Sequence, residues 1–248
     1  MIVIIAPVDA EIIQQLLALN SQFYQTFAEA FSATRQRVQP GVERLMQRIP
    51  SQAAILDVGC GNGELARRLA GQGCRGTYVG VDFSPGLLAE ARRRNTHPLA
   101  ARFLQGDLCS SRWAAPLEGQ RFTHALAFAV LHHIPAFDTR LQIVRTLWSL
   151  LEPGGLFFHS HWHFLNSPRW RARIQPWESV GLCKADLEPN DYLLDWRRGG
   201  RGLRYVHVLD AEELRQLAGQ SGFTCVETFY SDGKEGNLAL YQVWQKQV

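Results

Sequence analysis

The residues best suited to chemistry cluster between Ala53 and Gly63 (AAILDVGCGNG), where Asp57 is followed at alternate positions by Gly59, Gly61 and Gly63. Glycines let a chain turn tightly and bring its backbone close to a ligand, because they carry no Cβ. The apolar run before them has the composition of a strand buried on both faces, and a helix pattern opens at Glu64. A ligand at that junction would occupy the crevice at the strand ends of an open α/β sheet. The spacing is informative. A dinucleotide fingerprint requires Gly-x-Gly-x-x-Gly, with its third glycine one place later than here, which speaks against a nicotinamide cofactor.

Three further signals lie downstream. Asp82 ends a second strand pattern (Thr77 to Val81), at about the distance from the glycines where an acidic residue holds ribose hydroxyls. The following helix already has a cap in Ser84 with Pro85 at its first position, so Asp82 is expected to be free for a ligand. Asp107 follows a short third strand at Phe103-Leu104, and His132-His133 follow a fourth, Thr123 to Phe128. On their own, an isolated Gly-Asp is common in turns, and a histidine there can pack against or cap the next helix. Upstream, Tyr24 is either a core aromatic or a ligand contact, and Arg35 follows an apolar helix where it could meet a carboxylate.

The elements that must position these groups alternate strand and helix, which predicts a parallel sheet with right-handed crossovers. Asp9 can cap a helix to about Ala30, and a second helix spans roughly Gly41 to Arg48 between Pro40 and Pro50. Together, residues 1–52 read as an N-terminal helical cap over the sheet edge or its crevice. A helix from about Phe137 to Leu151 carries Leu141, Val144 and Leu147 on one face, and Glu152-Pro153-Gly154-Gly155 turns into a fifth strand, Leu156 to Ser160. A helix over Ala211 to Ser221 leads into a terminal hairpin of Thr224 to Tyr230 and Asn237 to Trp244. Between them, residues 162–203 form an insertion rich in Trp and Arg, read as a substrate-side lid. Residues 53–161 and 204–248 make up the core.

A chain of 248 residues suits one sizeable α/β domain with additions, and 46% hydrophobic content argues against disorder. Five widely spaced cysteines without a Cys-x-x-Cys pair fit reduced thiols and argue against a disulfide framework or a zinc site. Ile2 to Ile5 is too short for a membrane span or signal core and has no basic residue before it, so the expectation is a cytoplasmic protein without a membrane partner. Lys184, Lys234 and Lys246 are the only lysines among the 26 Lys and Arg residues; arginine suits bidentate phosphate contact, but the bias could equally reflect codon composition, and the mild net charge does not by itself establish a nucleic-acid partner.

The string Asp57-x-Gly59-x-Gly61-x-Gly63, with Asp82, Asp107 and the His-His stretch in order, resembles the class I S-adenosyl-L-methionine (AdoMet) methyltransferases. The resemblance implies a Rossmann-like α/β fold with a seven-stranded sheet whose last strand is antiparallel. It also implies AdoMet as cofactor, with Asp107 accepting from the adenine amino group. The resulting cofactor set is Tyr24, Arg35, Asp57, Gly59, Gly61, Gly63, Asp82, Phe83, Asp107, Leu108 and Phe128, with His132 and His133 beside the transferred methyl.

A narrower likeness, in Tyr24 to Arg35 (YQTFAEAFSATR), Ala129 to Ile134 (AVLHHI) and Arg204 to His207 (RYVH), is to the eukaryotic tRNA wobble-uridine carboxymethyl methyltransferases. That family implies a tRNA substrate and a small activating subunit. Here the arginine is followed by Gln36-Arg37-Val38-Gln39-Pro40 in place of the family's aromatic and Pro-Trp pair, and the family's long charged insertion is missing. Three readings therefore compete: a tRNA O-methyltransferase, a methyltransferase of a small-molecule acceptor, and a non-catalytic AdoMet- or RNA-binding module.

Overall fold

The structure is a computed structural model that describes residues 8–32, 38–95 and 99–247. Strand β1 (Ala54–Val58) is its centre, with Ile55, Leu56 and Val58 fully buried. It pairs in parallel with β2 (Thr77–Asp82) on one side and β4 (Phe122–Phe128) on the other, and β3 (Ala100–Gln105) closes that edge. Beyond β4 lie β5 (Leu151–Trp162), then β10 (Ala239–Lys246) and β9 (Phe223–Ser231), giving the order β3-β2-β1-β4-β5-β10-β9. Only β10 runs against its neighbours, as the terminal hairpin predicts.

Helices α3 (Glu64–Gly71), α4 (Pro85–Arg94), α5 (Phe137–Leu150) and α7 (Ala211–Ser221) are the crossovers. Their ends follow local chemistry: Ser84 Oγ accepts from the Leu87 N–H, Asp210 Oδ1 from the Glu213 N–H at 2.9 Å, and α7 stops at Gly222 with φ of 87°. Leu141, Ile143, Val144 and Leu147 of α5 are buried against the sheet, each contributing roughly 1.5–3 kcal/mol. The Glu152-to-Gly155 turn is an excursion inside β5, where the register against β4 shifts between Phe122 and His124.

The remaining chain forms a second body on the carboxyl side of the sheet. Helix α1 (Ala10–Ser32) begins at Asp9, which accepts from the Glu11 N–H at 2.7 Å, and kinks at Phe27. Helix α2 (Pro40–Met46) packs its Gly41 against Tyr241 of β10. The insertion folds into a three-stranded antiparallel sheet, with the short helix α6 (Pro168–Arg171) ahead of β6 (Ile174–Gln175), then β7 (Asp191–Trp196) and β8 (Gly202–His207). Leu16 of α1 shares an apolar cluster with Trp177, Leu193 and Tyr205. The N-terminal helix and the insertion are therefore packed together.

A buried ionic network fastens this small sheet to the core. Arg140 of α5 is fully buried and meets Glu188 (2.7 Å) and Glu213 (2.8 Å), and its Nη1 donates to the Ile134 carbonyl at 2.8 Å. His207 of β8 lies 2.6 Å from both Asp191 and Glu213, so both ring nitrogens face carboxylates. Burial alone would disfavour the charged imidazole, but these hydrogen bonds outweigh it and hold His207 above its usual pKa.

Candidate active site

Two cavities meet at the carboxyl ends of β1, β4 and β5. The first, about 720 Å³, lies under α1 and over the glycine turn. Gly59 has φ of 72°, its N–H donates to the Val81 carbonyl at 2.7 Å, and a Cβ there would stand 2.4 Å from Val130. Gly61 has φ of 55° and open space where its Cβ would be, so a ligand can approach its backbone. Gly63, also at positive φ, caps α3.

Asp57, Asp82, Asp107 and Glu64 line this crevice, and no Lys or Arg does so among the described residues. Asp57 is 1% exposed and accepts a hydrogen bond from the Tyr78 hydroxyl. Burial raises its pKa to about 7 against that hydrogen bond, and the nearby Asp82 charge pushes the same way as burial. Asp82 is also raised by burial, although N–H groups of Ser84, Gly61 and Phe83 oppose this.

Asp82 lines the crevice, as expected of a ligand-facing residue, and has a structural role as well. Its Oδ2 accepts from the Gly61 N–H and its Oδ1 from the Ser84 N–H, both at 2.9 Å, so it braces the glycine turn and the start of α4. Each carboxylate oxygen has a further lone pair, which leaves acceptor capacity for a hydroxyl donor. Asp107 is exposed and turns its own loop through the Cys109 N–H. Phe83, Leu108 and Phe128 line the same crevice.

Tyr24 projects from α1 into the crevice, and its hydroxyl lies 2.8 Å from His133 Nε2. His133 lines both cavities, whereas the buried His132 lines only the second, its Nδ1 accepting from the Trp162 N–H at 3.4 Å. Asn20, missed by the sequence reading, ties this segment to the small sheet: its amide donates to the His133 carbonyl and its Oδ1 accepts from the Tyr205 N–H. Ala129, also missed, sits on the shared wall with φ of 58°, its N–H donating to the Ser160 carbonyl and hydroxyl at 3.1 Å. A non-glycine residue in that region is strained, and nothing in the string Phe128-Ala129-Val130 marks it beforehand. Arg35, with Ala33 and Thr34 of the most distinctive family string, lies outside the described residues.

The second cavity, about 700 Å³, opens on the other side of Phe128, Ala129 and His133. Among the described residues its walls carry Arg169, Arg173, Arg197, Arg198 and Arg204 with Trp162, Trp170 and Trp196, against a single acid, Asp232. The insertion thus places its arginines and tryptophans beside the crevice.

The sequence matches the methyltransferase-domain family over residues 30–228. The chain belongs to the class I AdoMet-dependent methyltransferases. Among curated relatives, this methyltransferase is 30% identical over 219 residues to the tRNA (carboxymethyluridine(34)-5-O)-methyltransferase of Schizosaccharomyces pombe, covering 84% of this chain and 90% of that one. It is 37% identical over 108 residues to the 2-phytyl-1,4-naphthoquinone methyltransferase of Thermosynechococcus vestitus, covering 43% and 45%. The match to the mouse tRNA (carboxymethyluridine(34)-5-O)-methyltransferase, 28% identical, takes in 54% of this chain but only 18% of that protein. Among solved structures, the magnesium protoporphyrin IX methyltransferase of Synechocystis PCC 6803, with S-adenosylhomocysteine bound, superposes with a TM-score of 0.64 at 16% identity, over 94% of this chain and all of that one. The fold and the expected seven-stranded order are therefore those of the family. No helix among the described residues is long and apolar enough to cross a membrane.

Proposed function

We propose that this methyltransferase moves the methyl group of AdoMet onto a carboxylate, that of a 5-carboxymethyluridine in tRNA. One observation carries this reading: among the described residues, the two adjoining cavities are lined by groups of opposite charge. The crevice over the glycine turn is acidic and suits a sulfonium cation. The cavity across Phe128 and Ala129 is rich in arginine and suits an anion, with tryptophans able to stack a base. The Schizosaccharomyces pombe relative supports the tRNA acceptor.

On this assignment Asp82 takes the ribose hydroxyls and Asp107 the adenine amino group, with Phe83 and Leu108 against the base. Gly59, Gly61 and Gly63 admit the amino-acid end beside Asp57, Tyr24 and Phe128. Arg35 is assigned to a carboxylate of cofactor or substrate. Bound AdoMet supplies an electrophilic methyl on a sulfonium, so a carboxylate oxygen can displace it in line, the carbon–sulfur pair returning to sulfur and no proton moving. A carboxylate is ionised at neutral pH and needs no general base. The protein's task is alignment and exclusion of water. His133, held by Tyr24 and Asn20, and His132 behind it form the wall that positions the acceptor.

A second reading, methylation of a small molecule, has support from the quinone-methylating relative and from the aromatic wall of the second cavity. The deciding assay offers tritiated AdoMet to tRNA lacking the methyl ester and, separately, to a metabolite extract. Label recovered in a uridine methyl ester supports the tRNA reading, and label confined to the extract overturns it. Turnover by this chain alone would remove the activating subunit that the resemblance implies.

A further inference from the structure

Ala129 lines both cavities and holds φ of 58° although it is not a glycine. Such a conformation persists only where its surroundings over-determine it. Its N–H is shared between the carbonyl and the hydroxyl of Ser160, each at 3.1 Å. Ser160 is buried on β5, where it pairs with Phe128 of β4. Tyr241 stands directly opposite Ser160 in the antiparallel β5–β10 pair, and the two side chains are hydrogen-bonded. The phenol donates in turn to Asp232 Oδ2 at 2.6 Å, and Asp232 Oδ1 accepts from the Gly41 N–H at 3.1 Å.

The direction of each hydrogen bond in this chain is set. A phenol has one proton, and Tyr241 gives it to a carboxylate, so its oxygen accepts from Ser160 and from the Val42 N–H. Ser160 therefore directs its own proton to Tyr241 and offers a lone pair to Ala129. Burial, reinforced by Asp232, raises the Tyr241 pKa, so the phenol stays protonated and the direction holds. The ring is clamped as well: it stacks on Phe229, with centroids 5.0 Å apart and planes 7° from parallel, and a Cβ on Gly41 of α2 would run into it. Linked hydrogen bonds in buried surroundings strengthen one another. The chain thus ties α2, the β9–β10 turn, β10 and β5 to the exit of β4. Two residues past Ala129 begins the short helical turn Leu131–His133, which carries both histidines of the wall. Whatever sets Ala129 sets the path from β4 into that wall.

We propose that Ser160 is a positioning residue for methyl transfer, holding Ala129 in its left-handed conformation with Tyr241 and Asp232 behind it. This rests on the reading above that donor and acceptor occupy the two cavities, and it holds for a carboxylate or any other acceptor. In-line displacement tolerates little misplacement of the reacting atoms. A wall relaxed by one backbone torsion still admits both reactants, so the loss falls on kcat and not on binding.

The test compares the full wild-type chain with Ser160→Ala, Ser160→Thr, Tyr241→Phe, Ala129→Gly and the double variant Ser160→Ala/Ala129→Gly. Each receives tritiated AdoMet with tRNA lacking the methyl ester and, separately, with metabolite extract. Acceptor kcat and KM, AdoMet Kd and thermal unfolding are measured in the pool that wild type labels. Ser160→Ala should lower kcat at least tenfold, with acceptor KM and AdoMet Kd within threefold of wild type. Ser160→Thr keeps the hydroxyl and should recover most of that loss. Glycine takes positive φ without steric cost, so the double variant should turn over at least threefold faster than Ser160→Ala. A serine with a merely structural role would not be rescued by a change at Ala129. The proposal is overturned by a Ser160→Ala kcat within twofold of wild type, by a loss carried in KM or Kd, or by a double variant no faster than Ser160→Ala. If Ser160→Ala does not fold, Tyr241→Phe carries the test: kcat should fall at least threefold, and an unchanged kcat overturns the proposal. Label confined to the extract overturns the tRNA reading alone, and dependence on Ser160 there supports the proposal. No label in either pool from wild type overturns both.

Discussion

Asp57 is a carboxylate placed where folding alone would not choose one. It is 1% exposed, and burial raises its pKa from 3.8 to about 7 despite the Tyr78 hydrogen bond. The native state therefore binds this proton more tightly than the unfolded chain. The stabilising contribution is complete below about pH 3.8, falls as pH rises toward 7, and stays lost above that. Three pKa units correspond to about 4 kcal/mol at most. Asparagine at this position is neutral at every pH and can still accept from Tyr78. Asp57→Asn should therefore be more stable than wild type by about 2–4 kcal/mol at pH 8.5, by about 1.6 kcal/mol at pH 5, and close to it only toward pH 4. The same change should weaken AdoMet at least tenfold, or about 1.4 kcal/mol, because the crevice loses a charge opposite to the sulfonium. Urea unfolding across pH 5–9 and calorimetry at pH 7 in buffers of different ionisation enthalpy test both halves. Wild type should release a proton on binding AdoMet, and the variant should not. A variant less stable than wild type at pH 8.5, with unchanged m-value, would refute the reasoning.

Asp82→Ala removes both the acceptor for the Gly61 and Ser84 N–H groups and the proposed ribose contact, so AdoMet Kd should rise at least tenfold; an unchanged calorimetric Kd would take Asp82 out of the site. Arg140→Met leaves Glu188 and Glu213 buried without their cation, and should cost about 3–5 kcal/mol in urea unfolding. His207 is held above its usual pKa, so its contribution is complete below about pH 6.5 and is lost as pH rises through the higher folded value. A plot of unfolding free energy against pH should therefore decline on the alkaline side, and His207→Gln should flatten that decline.

The parts of the fold legible in the sequence are those governed by local chemistry. Ser84 with Pro85, Asp210 and Gly222 set helix ends, and the apolar run into Gly59 marks the central strand, because caps and buried strands leave composition signals within a few residues. The small sheet was not legible. Its β6 is two residues long, and its β7 and β8 pair across a Gly- and Arg-rich turn, so their partnership depends on contacts with α1 rather than on neighbours. For the site, the sequence brought Asp57, Asp82, Asp107, Tyr24 and His133 to one crevice, as found. It could not show that Asp82 also braces the glycine turn, that Ala129 takes a left-handed conformation, or that Ser160 and Tyr241 stand behind Ala129 in one chain. Each of these depends on groups distant in the chain or on strain that residue type does not report.

The opposition of charge across Ala129 has a consequence for turnover. On the proposed reaction, a sulfonium meets a carboxylate and both leave uncharged, as a thioether and an ester. The attraction between these two groups is thus extinguished by their own encounter, which loosens each product at the reacting atoms while the contacts to its sugar, base and phosphates persist.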